Sequence, residues 1–208
     1  MSPEGGSKTL IMPKMHARSA RPGEAATARD AEPLLSALIE RHRSGDPTAL
    51  KEFVASAFPL THRFVYRLTG PSADYEDLVQ ASLEQVCVSA SSYAGRSRVT
   101  TFIFGICNRV VSRHRRAQRI RSFFHLEERE VLTPDEPVGV EAFAERRESL
   151  EEAQAVLARV DPEERAVFVL HELENLPLEE VAAALNLSSR TVKRRLHSVR
   201  AKFTEARR

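Results

Sequence analysis

Between Arg96 and Arg121 the chain carries eight arginines, at 96, 98, 109, 113, 115, 116, 119 and 121, with no aspartate or glutamate among them. From Thr101 onward, Phe102, Ile103, Ile106, Val110 and Val111 recur at helical spacing, while Asn108, Arg109, Arg113, His114 and Arg116 lie largely off that stripe. The pattern predicts a one-sided helix in which one face packs and the rest meets solvent or phosphate. Arginines without counter-charge repel one another in a folded chain, and a polyanion, most commonly nucleic acid, supplies the missing charge. A solvated basic face is the competing explanation, but it suits scattered charge better than a stretch without acids. Phe104 reads as plain core packing, with Phe102 divided between core and binding. Residues 89–98 are small and polar apart from Tyr93, a loop composition able to receive an unstacked base beside arginine.

The rest of the composition narrows the choices. With 208 residues and 42% hydrophobic content, the chain can build one or two small cores. No apolar run approaches the roughly 20 residues that span a bilayer, and residues 1–30 lack the apolar segment of a signal peptide, so a soluble cytoplasmic protein is expected. Cys87 and Cys107 lie inside apolar helical patterns without ligand spacing, which predicts buried thiols, no metal and no cofactor. The net charge of +2 conceals a block pattern: residues 127–152 carry ten acids against three arginines, and residues 188–208 carry eight Lys/Arg against Glu205. Two basic surfaces separated by an acidic connector follow from it.

No strand pattern occurs, and the predicted fold is all-α: two small helical domains joined by a flexible acidic linker, the second a helix-turn-helix. The expected divisions are a disordered extension over 1–30, a helical domain over 31–124, a linker over 125–145 and a helix-turn-helix domain over 146–208. A first helix is expected from Pro33, with Leu34, Leu35, Leu38 and Ile39 on one face, ending at Gly45. Asp46 and Pro47 should open a second, with Leu50, Phe53, Val54 and Ala57 inward, and a third should run from about Pro59 to Leu68. Asp74 is the expected cap of the next, whose stripe Leu78, Ala81, Ser82 and Val86 leaves Asp77, Gln80 and Glu84 as an exposed ridge. A further stripe takes in Leu150, Val156, Leu157 and Val160, and Asp161, Pro162 and Glu164 then form a capping box for a helix through Leu173, with Asn175 as its terminator. A short helix over 178–185 and a last one capped by Ser188 complete the pattern. In the last, Val192, Leu196, Val199 and Phe203 share one side, and Arg190, Lys193, Arg194 and His197 the other. Two such helices around a tight turn make a helix-turn-helix, whose second helix enters the major groove.

Two stretches resemble the extracytoplasmic-function (ECF) sigma factors of bacterial RNA polymerase. Asp74-Tyr-Glu-Asp-Leu-Val-Gln80 is similar to that family's acid-rich motif. Leu170-His-Glu-Leu-Glu-Asn-Leu176, Leu178-Glu-Glu-Val-Ala182 and Thr191-Val-Lys-Arg-Arg-Leu-His197 resemble its promoter-binding helix-turn-helix. With Thr101-Phe-Ile-Phe-Gly-Ile-Cys-Asn-Arg109 between them, the likeness covers roughly 33–118 and 146–205. Departures are Ala81, where the family usually has an acid, Cys87 and Phe102 for tryptophan, Arg113 where an acid is frequent, and Pro177 for a capping Ser or Thr. The resemblance implies a non-enzymatic transcription factor whose partners are core RNA polymerase and promoter DNA, with an anti-sigma protein as an admissible third and no membrane insertion. It implies polymerase docking through Asp77, Gln80 and Glu84. Recognition and melting of a −10 element would fall to Tyr93, Arg96, Arg98, Thr101, Phe102, Asn108, Arg109, Arg113 and Arg116. Reading of a −35 element would fall to Ser188, Arg190, Thr191, Lys193, Arg194 and His197. The rival readings are a helix-turn-helix repressor or activator without a sigma role and, third, an enzyme, for which no phosphate loop, metal spacing or nucleophile-base pair is visible.

Overall fold

A computed structural model describes residues 28–124 and 155–206. The expected linker lies outside them, as does Leu150, and the expected extension lies outside them up to residue 27.

Helix α1 (Ala28–Arg43) starts upstream of Pro33, which sits inside it. Ala28 is buried with Leu35, Leu38 and Ile39, and that packing carries the helix through the proline at the loss of one backbone bond. Helix α2 (Ala49–Thr69) is one helix where two were expected, with Pro59 in its interior. The stripe Phe53, Ala57, Leu60, Phe64, Val65 and Leu68 is buried on both sides of the proline, so one continuous core contact outweighs the local break. Asp46 does not cap it directly. Its carboxylate accepts from the Thr48 amide at 2.8 Å and hydroxyl at 2.7 Å, and the helix begins after this turn.

Helix α3 (Tyr75–Ala90) buries Leu78, Val79, Ser82, Val86 and Ala90, whereas Ala81, expected inward, is exposed. The helix is wedged between α2 and α4 (Val99–Phe124), and contact on two sides turns Val79 rather than Ala81 into the core. Asp74 stands at its N-terminus but caps nothing with its side chain. The carboxylate turns to α4, 3.0 Å from His114 Nε2 and 2.7 Å from the Gln118 amide that donates to it. In α4 itself Ile103, Phe104, Ile106, Cys107 and Val111 are buried, with Phe102 and Val110 at the margin. Phe104 meets Phe64 edge-to-face at 5.1 Å. Cys107 is a buried free thiol, pushed up to about 12 by burial first, and Cys87 is half-buried.

Residues 155–158 are helical, and α5 (Pro162–Phe168) continues into a π-turn (Val169–Leu173). The Asp161 carboxylate accepts from the Glu163 amide at 2.9 Å, so Asp161 caps the helix as expected, through the amide two residues on. The wider π-turn reverses one expectation of the apolar stripe: Leu173 is exposed, and Glu174 is buried. Helices α6 (Leu178–Leu185) and α7 (Ser189–Ala206) follow, separated by a turn with Asn186 in the left-handed region at φ 53°. Asn175 is also left-handed, at φ 54°. Ser188 Oγ accepts from the Thr191 amide at 3.1 Å as the cap of α7.

The two bundles touch. One buried apolar cluster runs from α1–α4 into α5, α6 and α7, and a group of charges spans the junction. Glu174 is ion-paired with Arg67 and lies 3.5 Å from Arg63, and Arg165 donates through Nε to the Arg67 carbonyl at 2.6 Å. Burial pulls Arg165 down to about 10, assisted by neighbouring Arg115, and burial pushes Glu174 up against the pull of Arg67 and Arg63. No helix among the described residues is long and apolar enough to cross a membrane.

Candidate nucleic-acid interface

Three surfaces carry the residues singled out by the sequence. On α3, Asp77, Gln80 and Glu84 are all exposed along one side, and Gln80 donates to Glu84 at 3.1 Å. The helix places them there because its other side is committed to α2 and α4.

The second surface is the loop of residues 91–98 with the exposed side of α4. Tyr93 is half-buried, packs on Phe102 with ring centres 5.0 Å apart, and donates its hydroxyl to the Ser97 carbonyl. This aromatic pair stands at the root of a loop carrying Arg96 and Arg98, and Gly95 holds the loop's turn at φ 70°. Arg96, Arg109, Arg113 and Arg116 make no hydrogen bond or ion pair with any described residue, whereas Arg98 lies 3.3 Å from Glu180 of α6. Asn108 is half-exposed beside them. Thr101 turns inward: it is 6% exposed, and its hydroxyl has no partner among the described residues. It therefore stands behind the loop and not on its exposed side. Arg115, one of the eight arginines, also turns in, donating to the Leu68 carbonyl at 2.8 Å.

On α7 the cations divide. Arg190, Lys193, Arg194 and His197 are exposed and make no hydrogen bond or ion pair with described residues. Arg195 pairs with Glu163, Arg200 with Glu172 at 2.5 Å, and Lys202 with Glu164 at 2.6 Å. The paired set is tied to α5 and its π-turn, so among the described residues of α7 the open set is the one that offers unpaired charge outward. Thr191 is half-buried and bonded to Ser188, a cap first and a surface group second.

Sequence reasoning missed Glu32, His42, Arg165 and Glu174. Glu32 reaches residues 67 and 68 positions away, a separation no local pattern reveals. Glu174 and Arg165 lie in stretches whose charges read as ordinary helix surface, and no periodicity marks them.

Comparison with known proteins agrees with this layout. Residues 53–120 match the family model of Sigma-70 region 2, and residues 150–203 match that of Sigma-70, region 4, together more than half of the chain. The ECF RNA polymerase sigma factor SigE of Mycolicibacterium smegmatis is 30% identical over 74% of this chain, and the match spans 61% of that protein's length. The ECF RNA polymerase sigma factor SigF of Caulobacter vibrioides is 28% identical over 81% of this chain and 90% of its own length. Among solved structures, the sigma factor RpoE in complex with the anti-sigma factor NepR from Bartonella quintana aligns with a TM-score of 0.58 at 20% identity, over 76% of this chain and 96% of its own. CnrH in complex with the cytosolic domain of CnrY aligns at 0.53 and 20%, over 85% and 96%. These two share the fold: a pair of helical bundles, the second with a helix-turn-helix. With regions 2 and 4 in order, the acidic ridge ahead of the arginine helix and the capped helix-turn-helix behind it, the chain belongs to the ECF group of the sigma-70 family.

Proposed function

We propose that this chain binds core RNA polymerase, recognises −10 and −35 promoter elements and directs transcription initiation. The observation that carries the reading is the existence, on separate bundles, of two unlike sets of cations that have no partner among the described residues. One set, on α4, adjoins an aromatic-rooted loop suited to an extruded base. The other, on α7, lies on the outer side of a helix-turn-helix suited to a duplex major groove. Unlike surfaces need unlike targets, so the DNA site is asymmetric, one part read as separated strand and the other as duplex.

Tyr93, Arg96, Arg98, Phe102, Asn108, Arg109, Arg113 and Arg116 serve the −10 element, with Thr101 supporting them from the core side. Arg190, Lys193, Arg194 and His197 serve the −35 element, with Ser188 and Thr191 holding the start of their helix. Asp77, Gln80 and Glu84 dock on the polymerase. The chain acts by binding and carries no reaction of its own. Its partners place it in the cytoplasm, and an anti-sigma protein is a third partner by likeness to the sigma factor held by NepR.

Purified protein added to core polymerase on a promoter with both elements should produce specific transcripts and permanganate-reactive thymines near −10. Replacing Asp77 and Gln80 with Ala should weaken retention of core enzyme while circular dichroism stays unchanged, because both side chains lie outside the core. A palindromic footprint formed without polymerase overturns the reading in favour of a dimeric repressor.

A further inference from the structure

The loop between α3 and α4 is fastened to α1 at both ends. At its start, His42 Nε2 and Ser91 Oγ lie 2.9 Å apart. At its end, the Glu32 carboxylate accepts from the Val99 amide at 2.7 Å, the Thr100 amide at 2.9 Å and the Thr100 hydroxyl at 2.6 Å. Ser36, one turn further along α1, donates to the same carboxylate at 3.2 Å.

Val99 and Thr100 begin α4, whose first turn contains no acid of its own. The amides there, which have no partner within the helix, and the positive end of the helix dipole are satisfied by a side chain from another helix. Thr100 is buried and Glu32 half-buried, so the contact is an internal strut and not a surface pair. The Tyr93 hydroxyl is pushed up by burial and then by the Glu32 and Glu40 carboxylates, and it donates to the Ser97 carbonyl within the loop. Helix α1 precedes the residues that match Sigma-70 region 2, which begin at 53.

We propose that Glu32 is a positioning residue for strand opening: by fixing Val99 and Thr100 it sets the direction in which the loop presents Tyr93, Arg96 and Arg98 to an unstacked base. Glu32 touches no DNA itself. The inference rests on the sigma reading above. Losing the strut leaves the fold of the bundle and the α3 ridge in place but lets the junction of loop and α4 wander, so holoenzyme forms while opening falters.

The test uses the full chain with core polymerase, comparing wild type, Glu32→Ala and the isosteric Glu32→Gln. Four quantities are measured: thermal midpoint, affinity for core enzyme, affinity for a single-stranded −10 oligonucleotide, and permanganate reactivity at −10. Core affinity should hold in both variants. In Glu32→Ala, oligonucleotide affinity and strand opening should fall by about three- to thirtyfold, the span expected for a lost helix cap. Glu32→Gln keeps one acceptor oxygen without the charge and should fall between the two. If Glu32→Ala lowers the midpoint enough to unfold the chain, Glu32→Gln alone decides. Opening equal to wild type in Glu32→Gln and in any folded Glu32→Ala overturns the inference, as does core affinity falling in step with opening. Failure of the wild type itself to open the promoter with core enzyme sinks the sigma reading instead, and the two failures are told apart by that control.

Discussion

Arg194 is exposed and without a partner among the described residues, whereas Arg195, one position on, is half-buried and paired with Glu163. A 100° step around a helix is enough to move a guanidinium from the exposed side to the side that packs on α5. Arg194→Ala should therefore weaken binding to the correct −35 sequence by ~1–3 kcal/mol and relax preference at one base pair, measured by competition against single-base variants. Arg195→Ala should leave sequence preference alone and cost at most about 1 kcal/mol of stability, since Glu163 is well exposed and its charge screened. Glu164 supplies a pH signature from the same contact. Burial raises its carboxyl, but hydrogen bonds from Lys202 and Ser198 and the charge of Lys202 outweigh that, and the net shift is down from 4.5. A carboxyl lowered by folding stabilises above its unfolded value and ceases to do so as pH falls through the lowered one. Thermal midpoints taken below about pH 4.5 should drop for the wild type, and the drop should be shallower in Glu164→Gln.

The helices themselves were legible wherever an apolar stripe, a cap and a breaker agreed, as at Asp161–Pro162 and Ser188. They were misjudged where proline was given the last word. Pro33 and Pro59 both lie inside helices, because burial of Ala28 in one case and of Leu60, Phe64 and Leu68 in the other exceeds the local penalty. The exposed half of the candidate site was legible for the same reason as the helices: periodicity shows which side is not core. Its supports were hidden, since Glu32 and Glu174 act across long sequence separations. Phe104 and Phe102 illustrate the division within one element. Phe104→Ala removes a fully buried ring from its contact with Phe64 and should cost ~3–5 kcal/mol in denaturant unfolding. Phe102→Ala should cost less in stability and more in strand opening, because its ring backs Tyr93 at the edge of the core. For α7, counterion release should count only Arg190, Lys193 and Arg194, giving a salt slope of about −3 in duplex binding, whereas six engaged cations would give about −5.

Taken whole, the molecule holds together the two surfaces proposed to meet DNA. Arg98, on the loop assigned to the −10 element, is 3.3 Å from Glu180 on the helix-turn-helix, yet elements at −10 and −35 stand roughly 85 Å apart on B-form DNA at 3.4 Å per base pair. On the proposed assignment, the bundles must separate before both elements can be read. Glu174 is the group whose loss should separate them most readily, since removing one member of a buried ion pair typically costs ~3–5 kcal/mol and here takes from Arg67 its buried counter-charge. Small-angle scattering of Glu174→Ala should show a larger radius of gyration and, in the same protein, tighter binding to core polymerase; an unchanged scattering curve rejects this role for the cluster. A polymerase that accepts only the parted form sees an apparent dissociation constant multiplied by the inverse of the parted fraction, so one molecule in a hundred parted means binding about a hundredfold weaker. The closed molecules then form a standing reserve: as polymerase withdraws the parted ones, others open to replace them.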